Sequence, residues 1–436
     1  MFIRALYTLL LTAASPLLLF GLYRRRPNKP KFGPRWKEHF GFTPPLVDAN
    51  NGQPLWIHAV SVGESIAAIP VIKAIKAKNP EQTIVVTTTT STGAEQISKL
   101  GDLVEHRYMP IDFAWCVRGF LKTIKPSAML IMETELWPNT LATVHQANIP
   151  VVVMNARLSE RSARRYAKFQ PVFDMIAANL DHLLCLHRDD ADRFAQLGIA
   201  PERLSVTGSV KFDIQIEPAL IEQSQQLRQQ LGESRPVWIA ASTHKGEDEQ
   251  ILEAFNTVKQ QHPESLLILV PRHPERFDSV AELCQSQQLS CVRRTSEQDV
   301  DEATDVYLAD TMGEMLLLMG AADVTVMCGS LVGDKVGGHN MLEPAALAKP
   351  VLTGPSFYNF ADITQQLEAA GALKVCDDAK QIAEHLDELL SDPTQCQHMG
   401  KAAIGVVQQN QGAVAKTLAV LDQQRQGYPV RCQQTK

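Results

Sequence analysis

Two series of short apolar runs, each interleaved with helical patterns, leave few folds open to this chain. The first series has runs at 55–60, 83–88, 128–132, 151–154 and 183–186, and the second at 237–240, 266–270, 306–308, 324–327 and 350–352. Short apolar runs set between helical patterns are strand candidates. Helical spacing fills the gaps, as at 66–76, where Ile66, Ile69, Ile72 and Ile75 recur every third residue and are expected to share a face. Strands alternating with helices make a parallel sheet covered by helices. A glutamine-rich stretch at 215–230 carries no strand pattern and separates the two series. The 436 residues are therefore expected to form two doubly wound, Rossmann-like α/β domains facing a cleft. The expected boundaries are 1–23 for a membrane anchor, 24–214 for the first domain, 215–235 for a linker, 236–425 for the second domain and 426–436 for a tail.

Composition supports a large core, with 45% hydrophobic and 21% charged residues. A formal net charge of -6 supplies no global basic field, so nucleic acid is not an expected partner. Eight cysteines are scattered without a C-x-x-C pair, and no histidines stand at H-x-x-x-H spacing, so neither a disulfide framework nor a metal or other cofactor is expected. The N-terminus carries Arg4 and then an apolar run through Tyr23, about 19 residues, which is just enough to cross a bilayer core. It ends in Arg24, Arg25 and Arg26 rather than in small residues, which favours an uncleaved anchor over a signal peptide. The basic block predicts that the body of the protein lies on the cytoplasmic side. Arg24, Arg25, Arg26, Lys29, Lys31, Arg35 and Lys37 have no acidic residue among them. They fit the positive-inside rule alone, or a surface that receives anionic headgroups or phosphates.

Polar, glycine-containing runs cluster just after the expected strands, where open α/β sheets bind ligands. Ser61-Val62-Gly63-Glu64-Ser65 follows the first strand, and three readings fit it. Glu64 can project from a helix start as a general base. Gly63-Glu64-Ser65-Ile66-Ala67 also approximates, without its final glycine, the nucleophile elbow of an α/β hydrolase, with Ser65 as nucleophile. Alternatively, Ser61 and Glu64 form a capping box with no chemistry. Glu133-Thr134-Glu135-Leu136-Trp137-Pro138-Asn139 follows the third strand, and its two carboxylates are expected to point to opposite sides, one to the cleft and one into the loop. The basic run at 155–166 reads as a phosphate clamp or as a solvated helix face. Lys211, in the run Gly208-Ser209-Val210-Lys211-Phe212-Asp213, is placed to reach a leaving phosphate.

In the second series, Ser242-Thr243-His244-Lys245-Gly246-Glu247 offers hydroxyls and backbone N–H groups to an anion at a helix start. Pro271-Arg272-His273-Pro274, Asp310-Thr311-Met312-Gly313-Glu314 and Gly337-Gly338-His339-Asn340-Met341-Leu342-Glu343-Pro344 hold comparable places. Their glycines allow close backbone approach to phosphate, and their glutamates can accept from ribose hydroxyls. His58, His244, His273 and His339, taken singly, read as hydrogen-bonded structural residues. Asp190-Ala191-Asp192 is formally the D-x-D of metal-dependent sugar transfer. Acids in a helix first turn, above a buried face of Ala191, Phe194 and Leu197, argue against a metal there.

In this order and over nearly the whole chain, these motifs resemble those of the Kdo transferases, bacterial enzymes that add 3-deoxy-D-manno-oct-2-ulosonic acid (Kdo) to a lipid A precursor. Ala241 and Met315 are small departures, where glycine and leucine are common. The resemblance implies a glycosyltransferase fold of the B type, a CMP-Kdo donor, a tetraacyl lipid A precursor (lipid IVA) as acceptor, no metal, and inversion at the anomeric carbon. It implies that Glu64 is the base and that Glu133 and Lys211 stabilise the transition state. CMP would rest on the second domain against Pro271, Arg272, Met312, Gly313, Glu314, Asn340, Met341, Leu342 and Glu343. The first domain would bind the acceptor, with the basic stretch from Arg24 to Lys37 at the membrane. The expected location is the cell inner membrane, single-pass, with the catalytic domains cytoplasmic.

Overall fold

Every apolar run becomes a strand, and four less apolar segments join them at the sheet edges. The computed structural model describes residues 2–24, 30–47, 52–296 and 298–427, which fall into two units: Met1–Asp213 with Gln411–Lys436, and Ile214–Asn410. In the first unit β1 (Leu55–His58), β2 (Ile84–Thr88), β3 (Glu105–Tyr108), β4 (Ala128–Met132), β5 (Val151–Ala156), β6 (His182–Cys185) and β7 (Leu204–Val206) form one sheet in the order β3-β2-β1-β4-β5-β6-β7. In the second, β8 (Val237–Thr243), β9 (Leu266–Pro271), β10 (Cys291–Arg293), β11 (Val306–Leu308), β12 (Val324–Met327), β13 (Val351–Thr353) and β14 (Leu373–Val375) are ordered β10-β11-β9-β8-β12-β13-β14. All pairings are parallel.

The central strands are apolar on both faces because helices cover both, and every residue of β1, β2, β4, β8 and β9 is buried. Each sheet has a fully buried tryptophan as the second residue of its first strand, Trp56 against Phe120 and Trp238 against Phe255. Strand order reverses between β1 and β4 in one sheet and between β8 and β12 in the other, which makes the loops after these four strands the natural binding places.

The helix Val62–Lys78 buries Ala67, Ala68, Val71, Ile72 and Ile75, but Ile66 is exposed. The four isoleucines therefore do not share a face. A step of three residues falls about 60° short of a full turn, so the row drifts around the helix.

Two expected boundaries also shift. Residues placed in a linker form the helix Pro218–Leu231, which packs on Met315–Ala321 in the second unit. Ser224 Oγ donates to the Leu317 carbonyl at 3.1 Å, and Gly320 leaves room for it. Residues 411–427 return to the first unit instead of closing the second. The Asp213 carboxylate accepts the amides of Gly412 and Val414, and the helix Ala413–Gly427 packs on Val62–Lys78 through Ala413 and Leu421. Local pattern carries no sign of such a return, because the contact joins residues about 350 positions apart.

The N-terminal helix Phe2–Tyr23 has a window of mean hydropathy 1.8 and is long and apolar enough to cross a membrane. It does not stand free of the fold. Ile3, Arg4, Tyr7, Thr8, Leu11, Ser15, Leu19 and Leu22 form a half-covered face at helical spacing, whereas Phe2, Leu6, Leu9, Leu10, Leu17, Leu18 and Phe20 are exposed. The covered face meets the helices Pro138–Gln146 and Gln170–Ala177. Tyr23 Oη lies 2.7 Å from His39 Nδ1 near the other end. Of the basic stretch, Arg24, Lys31 and Lys37 are exposed, while Arg25, Arg26 and Lys29 lie outside the described residues. Arg35 is tied inward: its guanidinium pairs with Glu38 at 2.6 and 2.9 Å, donates to the His106 carbonyl at 3.0 Å and lies over the Tyr108 ring.

Candidate active site

In the first unit the loops at the switch point bring together three carboxylates and one ammonium group. Glu64 stands in the first turn of Val62–Lys78, and Ser61 caps that helix with its hydroxyl, accepting the Glu64 amide at 3.3 Å. The Glu64 carboxylate accepts from Ser61 Oγ at 2.7 Å and from the Val60 amide at 2.7 Å. Glu64 is thus the capping-box partner of Ser61, a role that does not exclude the reading of the same carboxylate as a base. The side chain is 7% exposed. Burial pushes its carboxyl above the usual carboxylate range; the two hydrogen bonds pull it back, and the negative charges of Glu133 and Glu135 push it up again. A carboxylate held this way is a stronger proton acceptor than one in water.

Glu133 follows β4 in a left-handed conformation, φ 58°, which costs a non-glycine residue about 1–2 kcal/mol. Its amide continues the ladder by donating to the Met154 carbonyl at 2.8 Å; the chain then turns, and its Oε1 accepts from Lys211 Nζ at 3.1 Å. Lys211 rides on the short turn Val210–Phe212, capped by Ser209 Oγ at 3.4 Å. Asn155, also left-handed at φ 55° and 2% exposed, accepts the Val210 amide on Oδ1 at 3.3 Å and so ties β5 to that turn. In the sequence Asn155 opens a basic run, and its place at the end of a buried strand is the signal that sets it apart. Glu135 turns the other way and accepts from Trp137 Nε1 at 3.2 Å, and the Trp137 ring meets His58 edge to face at 5.4 Å. Burial lowers His58 to about 4, so it is neutral at pH 7.

Ser65 is not a nucleophile in an elbow. Its side chain is fully buried, one turn into the helix, with Oγ donating to the Ser61 carbonyl at 2.8 Å. The helix at 160–168 has no buried residue, and Arg164 pairs with Glu160 at the surface, the solvated alternative for that basic run. Asp190 caps its own helix: its carboxylate accepts the amides of Leu158 and His187.

The second unit gathers cations and imidazoles at the corresponding strand ends. The anion expected at the start of the helix Asp248–Gln261 turns out to be internal. Glu247 is fully buried, and its carboxylate accepts the amides of His244, Gly329, Ser330 and Leu331 at 2.8–3.0 Å. Thr243 donates to Asp248, which pairs with Arg276. These bonds lock the loop after β8 to the loop after β12, whose Gly329 and Ser330 lie outside the sequence motifs. Their signal was a glycine and a hydroxyl directly after the strand at 324–327. Gly329, at φ 75°, lets the His339 ring come so close that a Cβ would lie 2.7 Å from it.

His339 Nε2 lies 3.0 Å from His244 Nε2, with the rings stacked at 5.2 Å, and His273 meets His244 edge to face at 5.3 Å. Burial and neighbouring positive charge lower His244 to about 4 and His339 to about 3. Both are neutral at pH 7, so one Nε2 carries the shared hydrogen. Arg272 follows Pro271 at the end of β9 with its side chain exposed, and its charge reaches His244, His339 and Glu343. Asn340 Nδ2 donates to Glu343 Oε1 at 3.2 Å, and burial raises the Glu343 carboxyl. Met341 and Leu342, expected beside CMP, have fully buried side chains. They fix the turn and can offer a ligand only backbone. Met312 is exposed, Gly313 takes φ 89°, and Glu314 is held by Arg294 Nη2 and Nε at 2.6 and 2.7 Å.

The first unit thus carries a buried carboxylate and the second a guanidinium with imidazoles, each at the carboxyl ends of parallel strands, and the similarity to known proteins gives the class, a glycosyltransferase. A family profile described as 3-Deoxy-D-manno-octulosonic-acid transferase (kdotransferase) matches residues 34–214, and one described as Glycosyl transferases group 1 matches 228–406. The 3-deoxy-D-manno-octulosonic acid transferase of Haemophilus influenzae is 37% identical over 425 residues, 96% of this chain and 98% of the relative. That of Bordetella pertussis is 33% identical over 434 residues, 96% and 99% of the two chains. The chain belongs to the 3-deoxy-D-manno-octulosonic acid transferase family. A UDP-GlcNAc 2-epimerase from Neisseria meningitidis is similar in fold alone, with TM-score 0.55 at 16% identity over 85% of this chain and all of its own.

Proposed function

We propose that the protein transfers Kdo from CMP-Kdo to the tetraacyl lipid A precursor, in lipopolysaccharide assembly, by metal-independent single displacement with inversion. The observation that carries this reading is the Glu64 carboxylate, almost wholly buried and crowded by Glu133 and Glu135. As an acceptor hydroxyl attacks the anomeric carbon, its proton passes to Glu64 and a new C–O bond forms opposite the departing phosphate oxygen. The donor's C–O bond breaks, its electron pair leaves with CMP, and the phosphate gains a negative charge. Lys211 and Glu133 act as a charge pair beside the base in stabilising the transition state. Arg272 meets the phosphate, and Pro271, the Met312-Gly313-Glu314 turn and the turn from Asn340 to Glu343 hold the nucleoside.

The apolar face of Phe2–Tyr23 supports a place at the cytoplasmic face of the inner membrane, with Arg24, Lys31 and Lys37 beside anionic lipid. The other face is covered by the first unit, so in this reading the helix lies in the leaflet along that unit rather than crossing the bilayer alone. The test is CMP release by full-length protein from CMP-Kdo with lipid acceptor in micelles, with the anomeric configuration of the product read by NMR. No release with acceptor present, or a retained configuration, overturns the reading.

A further inference from the structure

Asp112 is buried between β3 and the following helix, and its bonds serve two other elements. It caps the helix Pro138–Gln146 from a distance. That helix starts at Trp137, which supplies no capping side chain, and its first free amides, Asn139 and Thr140, donate to the Asp112 carboxylate at 3.2 and 2.6 Å. Thr140 Oγ1 adds a bond at 2.7 Å, and Asn139 Nδ2 donates to the Asp112 carbonyl at 2.9 Å. The other element is the N-terminal helix. Tyr7 Oη donates to the same carboxylate at 2.8 Å, and Thr8 Oγ1 accepts from Asn139 Nδ2 at 3.0 Å while its own hydrogen is shared between the Arg4 carbonyl at 2.8 Å and Asn139 Oδ1 at 3.2 Å.

Asn139 and Trp137 close the loop that begins at Glu133. Trp137 in turn holds Glu135, whose charge acts on Glu64. A continuous set of contacts thus leads from two hydroxyls of the membrane-facing helix to the carboxylates around the base. An anchor that served only to hold the protein on a bilayer would need no such polar pair on its covered face.

We infer that the N-terminal helix is a positioning element for the Glu133–Asn139 loop, through Tyr7 and Thr8, in addition to its contact with lipid. Burial raises the Asp112 carboxyl while its donors lower it, so loss of the Tyr7 hydroxyl leaves this buried group short of a partner and loosens the first turn it caps. The inference rests on the proposed transfer reaction only for its activity readout.

The experiment compares full-length wild type with Tyr7→Phe, Thr8→Val and the conservative Thr8→Ser, all with CMP-Kdo and lipid acceptor in detergent micelles, where anchoring is irrelevant. Tyr7→Phe and Thr8→Val are each expected to lower kcat about three- to tenfold with the donor KM unchanged, as a small displacement of catalytic groups does. Thr8→Ser is expected to stay near wild type. Hydrogen exchange of residues 133–146 should be faster in the first two variants and unchanged in the third. A loss seen only on vesicles, with normal kcat in micelles and normal exchange, overturns the inference and leaves the helix as an anchor. If wild type releases no CMP, the proposed reaction fails, and the exchange measurement alone decides this inference: unaltered exchange in Tyr7→Phe and Thr8→Val overturns it.

Discussion

At equivalent strand ends the two units carry opposite electrostatic furniture. The first collects carboxylates, Glu64, Glu133 and Glu135, with Lys211 in their midst; the second collects Arg272, Arg276, His244, His273 and His339, with its acids already bound. Glu247 is saturated by four backbone amides, Asp248 by Arg276 and Glu314 by Arg294. Burial and the charges of Glu133 and Glu135 raise the proton affinity of the Glu64 carboxylate, which suits a group that must take a proton. A site whose acids are neutralised internally keeps its remaining positive charge for a ligand, which suits a phosphate. The fold fixes where each site lies, and the side chains decide which chemistry it performs.

The sharpest way to break this contrast is Glu64→Gln. It is expected to lower kcat by about 100- to 10,000-fold, the range for loss of a general base, while CMP binding measured by calorimetry stays at the wild-type value. Equal loss in both measurements would mean that Glu64 acts only as a cap. Arg272→Ala probes the other side, and CMP affinity should fall about 10- to 100-fold, as for a lost hydrogen bond to a charged group. An unchanged affinity would remove the phosphate from that loop.

A gentler substitution tests the crowding itself. Glu135→Gln removes a charge that raises the Glu64 carboxyl, so that carboxyl moves down and the acidic limb of the kcat/KM profile moves to lower pH. The base works deprotonated, so a limb that stays in place or moves up would contradict the coupling. Ser65→Ala should have the least effect. Activity is expected to stay within about twofold and stability to fall by about 1 kcal/mol, the worth of one buried hydrogen bond, read from a denaturant midpoint. Abolished turnover would restore the hydrolase reading that the buried hydroxyl excludes.

Much of the fold was legible in the sequence. The ten strands foreseen are the ten inner strands, whose apolar runs reflect burial on both faces. The four not foreseen, β3, β7, β10 and β14, are the outermost strands of the two sheets. Each contains partly exposed residues, and segments such as Glu105–Tyr108 have no apolar run to read. Glu64, Glu133 and Lys211 were named by motif order, but their relations were not local. Lys211 and Glu133 are 78 residues apart, and Glu247 binds amides 82 to 84 residues away.

The sequence by itself determined the strand–helix alternation, the two doubly wound sheets and the motif order that places the chain in its family, because these follow from short-range spacing and burial period. Tertiary structure alone decided that the capping carboxylate of Glu64 is buried within reach of the charges of Glu133 and Glu135, that the glycine-loop amides close on Glu247, that the last helix returns to the first unit and that the N-terminal helix is bonded to Asp112. Each depends on which strands become neighbours, and strand order is set by packing of the whole sheet rather than by any local run of residues.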